Sequence, residues 1–303
     1  MTDLLMMVIT ILISGSTTFA WPFQQVNVLD NGLENTNGLI AYLTQLGEKL
    51  FSEPNAESGS RVAEWNVGMN VNPEELGEYV EGDILFPSAM GRNGLKATSA
   101  RWPNGVVPYM ISPYFNKEQR NLIQEAMDDY HRHTCIQFKP YEGEETDYIR
   151  ITAGNTGCWS SVGKIGGRQD INLQVPGCVT KKGTVIHELM HAIGFLHEQS
   201  RYERDDFVRV QWNNIQSGRE KNFEKASKLT TDAFGINYDY GSVMHYSSGA
   251  FSKNGQPTIL PRGTIDTKVI GQRVGFSKKD IQKIRRMYKC GSKRSFSLSD
   301  FFF

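Results

Sequence analysis

The chain has 303 residues, of which 39% are hydrophobic, and its 33 basic and 33 acidic residues cancel to no formal net charge. That length allows a sizeable core in one or two domains; no period of about 20 to 50 residues points to a solenoid, and no nucleic-acid partner is expected. The neutrality is uneven: residues 21–92 carry 3 basic and 11 acidic residues, whereas residues 93–303 carry 30 and 21. An acidic front segment held partly by charge against a basic body accounts for the division, and the free body is expected to favour acidic substrates or surfaces.

Leu4 to Ile13 is an apolar run, and the small and polar residues after it end at Thr18-Phe19-Ala20. This matches a secretory signal over residues 1–20 with cleavage after Ala20, although Asp3 stands where a positive n-region is usual. The run is too short to span a bilayer, and no later segment is long and apolar enough. Residues 21–92 are rich in Asn, Gly and Glu, with one expected helix around Leu39 to Phe51, and are not expected to fold alone. Arg92 stands in a Gly-Arg-Asn-Gly stretch, an exposed basic site suited to a trypsin-like protease.

Val106 to Ile111 reads as a strand after the Pro103-Asn104-Gly105 turn. Lys117 to Thr134 reads as a helix, with Asn116 as N-cap and Leu122, Ile123, Ala126, Met127 and Tyr130 at helical spacing. His131 and His133 fall at its C-terminal end, where they suit the helix dipole rather than a metal. Tyr148 to Thr152 and Gln169 to Val175 alternate like strands, and Lys182-Gly183-Thr184 opens a further helix. Arg201 to Asp206 reads as a solvated charged turn, and Trp212, Ile215 and Phe223 as core anchors. Ser277 to Lys289 reads as a last helix with a Ser-x-x-Asp capping box, its Ile281, Ile284 and Tyr288 on one face. Gly291 to Phe303 reads as a short disordered tail, with no role assigned to Phe301, Phe302 and Phe303.

Cys135, Cys158, Cys178 and Cys290 are an even set in a chain expected to be exported, so two disulfides are expected, in any of three connectivities. None belongs to a C-x-x-C pair, which argues against a thiolate zinc site.

Residues 187 to 198 read H-E-L-M-H-A-I-G-F-L-H-E. Four positions apart on a helix, His187 and His191 leave the same face at a spacing that lets both reach one metal ion. Glu188, one step round, sets a carboxylate beside the metal, where it can accept a proton from a metal-held water. Gly194 can take positive φ and turn the chain back, so that His197 returns as a third ligand. Three imidazoles with one open position describe a catalytic zinc, one ion per chain. From residue frequencies, H-E-x-x-H alone arises by chance in roughly one such chain in a hundred, and Gly194 with His197 lowers that about several hundredfold.

The run from His187 to Glu198 resembles the zinc signature of the astacin metalloproteases, and Ser242-Val243-Met244-His245-Tyr246 resembles their Met-turn. Roughly Asn93 to Cys290 shares in the resemblance. It implies a mixed α/β metzincin-type fold of two lobes, with a twisted mixed sheet plus helices and the zinc helix at the cleft floor. It further implies a secreted zinc endopeptidase, acting on protein or peptide substrates and cleaving before acidic residues, and a monomer is expected. Met244 would pack beneath the histidines, and the Tyr246 phenol would hydrogen-bond the oxyanion. Val80-Glu81-Gly82-Asp83 resembles the pro-segment motif F-x-G-D, in which the aspartate binds the zinc; here Asp83 is that latch, and Val80 replaces the phenylalanine. Alignment of Trp102 and Pro108-Tyr109 puts the mature start at Asn93, after Arg92, with the freed amino group near Glu198. The resemblance also selects the pairs Cys135–Cys290 and Cys158–Cys178. The implied organisation is a signal (1–20), a pro-segment (21–92), a catalytic domain (93–290) and a tail (291–303).

Overall fold

The computed structural model describes residues 51–87, 101–226 and 233–291, all within the unit Gly32–Phe303. The expected signal, the expected helix before Phe51, the Arg92–Asn93 junction and the tail beyond Gly291 lie outside the described residues.

The central element is a five-stranded sheet of β3 (Val106–Ile111), β4 (Gln137–Pro140), β5 (Tyr148–Thr152), β6 (Cys158–Ser160) and β7 (Arg168–Leu173), in the order β4-β3-β5-β7-β6. The first four strands in that order run parallel, and β6 pairs antiparallel with β7 at the edge. Parallel strands need long crossovers, and the one from β3 to β4 is helix α2 (Lys117–His133). Asn116 is its N-cap as expected, and Gln119 completes it as a reciprocal box that the sequence reading had not named. Ile123, Ala126, Met127 and Tyr130 are buried on one face of α2, each large side chain contributing about 1.5–3 kcal/mol. Helix α3 (Lys182–Ala192) packs against α2, and the Tyr130 hydroxyl donates to Ile186 O at 2.8 Å. From Gly183 onward every residue of α3 is buried, so it runs through the core rather than over it.

A second, smaller core gathers Val208, Ile215, Phe223, Tyr238, Tyr246, Ala250, Phe251 and Ile259. It is flanked by the antiparallel pair β8 (Val208–Val210) and β9 (Ile259–Pro261). The turn at Met244 bridges the two lobes: Met244 belongs to the larger core and Tyr246 to the smaller. Helix α4 (Lys278–Met287) fixes this turn through its N3 carboxylate, for Asp280 completes the capping box with Ser277 and accepts from Ser242 Oγ at 2.6 Å and Val243 N at 2.9 Å. The disulfides are Cys135–Cys290, joining the ends of α2 and α4, and Cys158–Cys178, joining β6 to the turn before α3.

Residues 51–87 fold onto the body. They form β1 (Phe51–Ser52) paired with β2 (Phe86–Pro87), helix α1 (Ala56–Ala63) and a 3-10 turn at Pro73–Leu76. Near Ile84 the segment adds to the open edge of β6, with Leu85 N donating to Ser160 O at 3.1 Å and Ser160 N to Asp83 O at 2.9 Å. The opposed charges meet at Glu74 and Arg273, a buried pair, and at Glu78 and Arg219, a half-buried one.

Three expectations need correction. Helix α1 had no apolar pattern to announce it, because the residues it buries are Ser58, Gly59 and Val62. Trp212 is 49% exposed and meets Phe223 edge-to-face from outside, while Ile215 and Phe223 are buried as expected. The run from Arg201 to Asp206 is not simply solvated: Arg204 is buried and donates to Gln199 O at 2.9 Å, and Arg201 is held by Glu198 and Glu203. The two arginines are satisfied internally, while Asp205 and Asp206 stay exposed.

Candidate active site

Helix α3 carries His187 and His191 one turn apart, both fully buried. After Ala192 the chain leaves the helix, and Gly194 takes φ 109, a conformation that a Cβ would oppose. That turn returns the chain so that His197 faces the other two rings, at centroid distances of 5.1 Å from His187 and 4.7 Å from His191.

The outer nitrogens of the three rings fix their tautomers. His187 Nδ1 lies 2.8 Å from Val243 O, His191 Nδ1 2.7 Å from Phe195 O, and His197 Nδ1 2.6 Å from Glu81 Oε2. Carbonyl and carboxylate oxygens only accept here, so each Nδ1 donates and each Nε2 turns its lone pair inward. The inward nitrogens converge on Asp83, whose Oδ2 is 2.9 Å from His187 Nε2 and 3.3 Å from His197 Nε2, with Oδ1 3.5 Å from His191 Nε2. Asp83, His187, His191 and His197 offer four ligand atoms within 4.8 Å of one another. Asp83 Oδ1 and His191 Nε2 are buried without a hydrogen-bond partner, which a shared cation would remedy. Imidazole nitrogens plus one carboxylate oxygen, with their second nitrogens anchored, fit one zinc ion. With protons on Nε2 in place of a cation, His197, His191 and His187 outweigh the effect of burial and hold the Asp83 carboxyl well below the ordinary range.

Glu188 is fully buried beside this group, and neither carboxylate oxygen has a hydrogen-bond partner. Burial, reinforced by the negative charges of Asp83 and Glu74 and opposed by Arg273, pushes its carboxyl well above the ordinary range. Tyr246 places its ring 4.8 Å from the His197 ring, and its hydroxyl donates to Glu81 O at 2.7 Å. Met244 belongs to the larger core, its carbonyl accepting from Glu198 N at 3.0 Å. Glu198 points away from the metal group, to Lys283, to Arg201 at 2.9 Å and to Asp239 N at 2.8 Å. His245 is no part of the metal group. Its Nδ1 donates to Tyr246 O at 2.8 Å, its Nε2 accepts from the Tyr238 hydroxyl at 2.7 Å, and burial pushes it down to about 4. His131 likewise serves structure, its Nε2 accepting from Phe138 N at 2.9 Å.

Four site residues had escaped notice. Glu74 and Glu75, on the Pro73–Leu76 turn, are buried side by side against the body: Glu74 pairs with Arg273, and Glu75 accepts from Ser247 N at 2.6 Å and Ser247 Oγ at 2.5 Å. Glu81 reaches His197 as described. Two adjacent glutamates after Asn72-Pro73 in an acidic segment facing a basic body were the available signal, whereas nothing in the sequence singled out Arg273 among the basic residues.

The family profile for astacin, a peptidase family, matches residues 94–289. Zinc metalloproteinase nas-13 of Caenorhabditis elegans is 48% identical over 200 residues, which cover 66% of this chain and 43% of that protein. Meprin A subunit beta of Homo sapiens is 43% identical over 225 residues, covering 74% of this chain and 31% of the relative. The chain thus spans less than half the length of these two relatives. Among solved structures, the hatching enzyme zinc-protease High choriolytic enzyme 1 of Oryzias latipes superposes with a TM-score of 0.57 at 38% identity, covering 63% of this chain and 93% of that one. The histidine triad on its bent helix end, the turn at Met244 and the matched span from 94 to 289 agree, and the chain belongs to the astacin family.

Proposed function

We propose that this chain is the precursor of a secreted zinc endopeptidase, held inactive by residues 21–92 and released by trypsin-like cleavage after Arg92. The observation that carries the reading is the buried convergence of His187, His191, His197 and Asp83, with the unpartnered carboxylate of Glu188 beside it. Zinc held there by the three histidines would supply a Lewis acid that polarises a peptide carbonyl and lowers the pKa of a water. Asp83 fills the position that water and substrate need, and so blocks the reaction from within the chain. Once residues 21–92 leave, Glu188 takes a proton from the attacking water and passes it to the leaving nitrogen. The Tyr246 hydroxyl, occupied in the precursor by Glu81 O, becomes available to donate to the oxygen of the carbonyl under attack. The freed amino group of Asn93 is received near Glu198, as in the resemblance. Secretion accords with the two disulfides and with the signal expected over residues 1–20.

Substrate choice follows from what the precursor buries against the body. Glu74 neutralises the buried guanidinium of Arg273, and Glu75 takes the donors of Ser247. A peptide with an acidic side chain next to its scissile bond replaces them at least cost, because an unpaired buried charge is strongly unfavourable. The test is N-terminal sequencing of secreted protein before and after limited trypsin, with casein cleavage followed in parallel with and without a zinc chelator. Activity that appears only with Asn93 at the N-terminus and vanishes with chelator is the expected result. Trimmed, zinc-loaded protein that cleaves neither casein nor acidic peptides would overturn the reading.

A further inference from the structure

The F-x-G-D resemblance assigns a task to the aspartate alone, yet the residue two before it makes two contacts with the site. Glu81 is 1% exposed and sits at φ 50, in the left-handed region that a glutamate rarely adopts. Three contacts hold it there. Gly82 N donates to Tyr79 O at 3.0 Å to close the turn, Glu81 N donates to Asn222 Oδ1 at 3.1 Å, and Glu81 O accepts from the Tyr246 hydroxyl at 2.7 Å. The result of this backbone arrangement is that the carboxylate lies 2.6 Å from His197 Nδ1. His187 and His191 are anchored by carbonyls of the body itself, at Val243 and Phe195. Among the three, His197 is the ring whose anchor comes from the front segment.

We propose that Glu81 is a second arm of the latch, a positioning residue that orients His197 and strengthens it as a ligand for as long as the precursor is intact. A carboxylate accepting from the outer N–H of a metal-bound imidazole fixes its tautomer and raises its donor strength, and removal of such a partner costs about 10–100-fold in metal affinity. The precursor therefore holds its metal more tightly than the trimmed body does. Removal of the segment uncovers the metal through Asp83, loosens His197 through Glu81 and releases the Tyr246 hydroxyl in one event. This inference rests on the precursor reading above.

The test is the rate and extent of zinc transfer from the full-length, uncleaved precursor to a chromogenic chelator, for wild type, Glu81→Gln, Glu81→Asp and Asp83→Asn. Gln keeps the size but loses the charge. Asp keeps the charge, tolerates the left-handed backbone and withdraws the carboxylate from His197. Both Glu81 variants are expected to hold zinc about tenfold or more less tightly than wild type. After trypsin and removal of the cleaved segment, wild type and both variants leave bodies of identical sequence, so the difference must vanish. Glu81 variants that match wild type while Asp83→Asn releases zinc faster would overturn the role of Glu81 alone. If Asp83→Asn also matches wild type, the precursor reading fails and this inference with it.

Discussion

Glu74 and Arg273 stand 199 positions apart and form an ion pair whose side chains are 1% and 0% exposed. Arg273 also donates to His245 O at 3.2 Å, so the pair ties the front segment to the turn that carries Tyr246. Removing one member of a buried pair leaves the other charge uncompensated, at a cost of about 3–5 kcal/mol. Glu74→Ala in the full chain is expected to lower stability by that order, read from denaturant midpoints, and to speed trypsin cleavage of the segment. Glu57→Ala, which removes an exposed helical pair with Arg61, is expected to change stability by less than about 0.5 kcal/mol. Equal midpoints for the two variants would mean that charge does not hold the segment in place.

Glu188→Gln preserves volume and removes the proton acceptor. Since Glu188 makes no hydrogen bond and is not among the four converging ligand groups, the fold and the metal content are expected to survive. Peptide cleavage by the trimmed protein should fall by about 10²–10⁴, the usual share of a general base. Metal analysis alongside the assay separates the two effects, and turnover near wild type would remove Glu188 from the mechanism.

The triad was legible because its geometry is local: four residues make one helical turn, and Gly194 licenses the bend that brings His197 round. Helix α2 was legible to within a residue for the same reason, its cap and apolar stripe both being written in neighbouring positions. Glu81 was not legible, because its direction depends on a left-handed backbone held by Asn222 and Tyr246, partners more than a hundred positions away. Nor was the depth of Arg204, since a charge run looks solvated until its acceptors, among them Gln199 O, are known. The front segment lacks its own apolar pattern because many of its polar groups are satisfied by the body. Gly59 O receiving the Gln174 amide and Tyr79 donating to Thr156 O are two such cases.

Glu198 gives a prediction in pH. Burial raises its carboxyl, but Lys283 and Arg201, with the Asp239 N–H, outweigh burial and hold it below its ordinary 4.5. A group whose folded pKa is depressed contributes stability above its unfolded value and loses it as pH falls through the folded one. The stability difference between wild type and Glu198→Gln should therefore be constant near neutrality and shrink as pH drops below 4.5. Near neutral pH the variant leaves Lys283 buried beside an amide, and is expected to be about 3–5 kcal/mol less stable. Parallel denaturation curves across the acid range make the comparison, and a difference that stays constant to low pH would refute the assigned ionisation.

Tyr246→Phe separates the two uses of one side chain. The ring packs edge-on against Phe223 and Phe251 at 5.9 and 5.5 Å, contacts that phenylalanine retains, and the backbone N–H stays on Gln199 Oε1 at 3.0 Å. Only the hydroxyl is lost, so the precursor forfeits its bond to Glu81 O, about 0.5–1.5 kcal/mol of stability. In the trimmed enzyme the same hydroxyl is the proposed donor to the developing oxyanion, a bond made in the transition state rather than with bound substrate. Its loss is expected to lower kcat by about 10²–10³ and to leave KM nearly unchanged. A rise in KM at constant kcat would assign the hydroxyl to substrate binding instead, and unchanged kinetics would confine its role to holding Glu81 in the precursor.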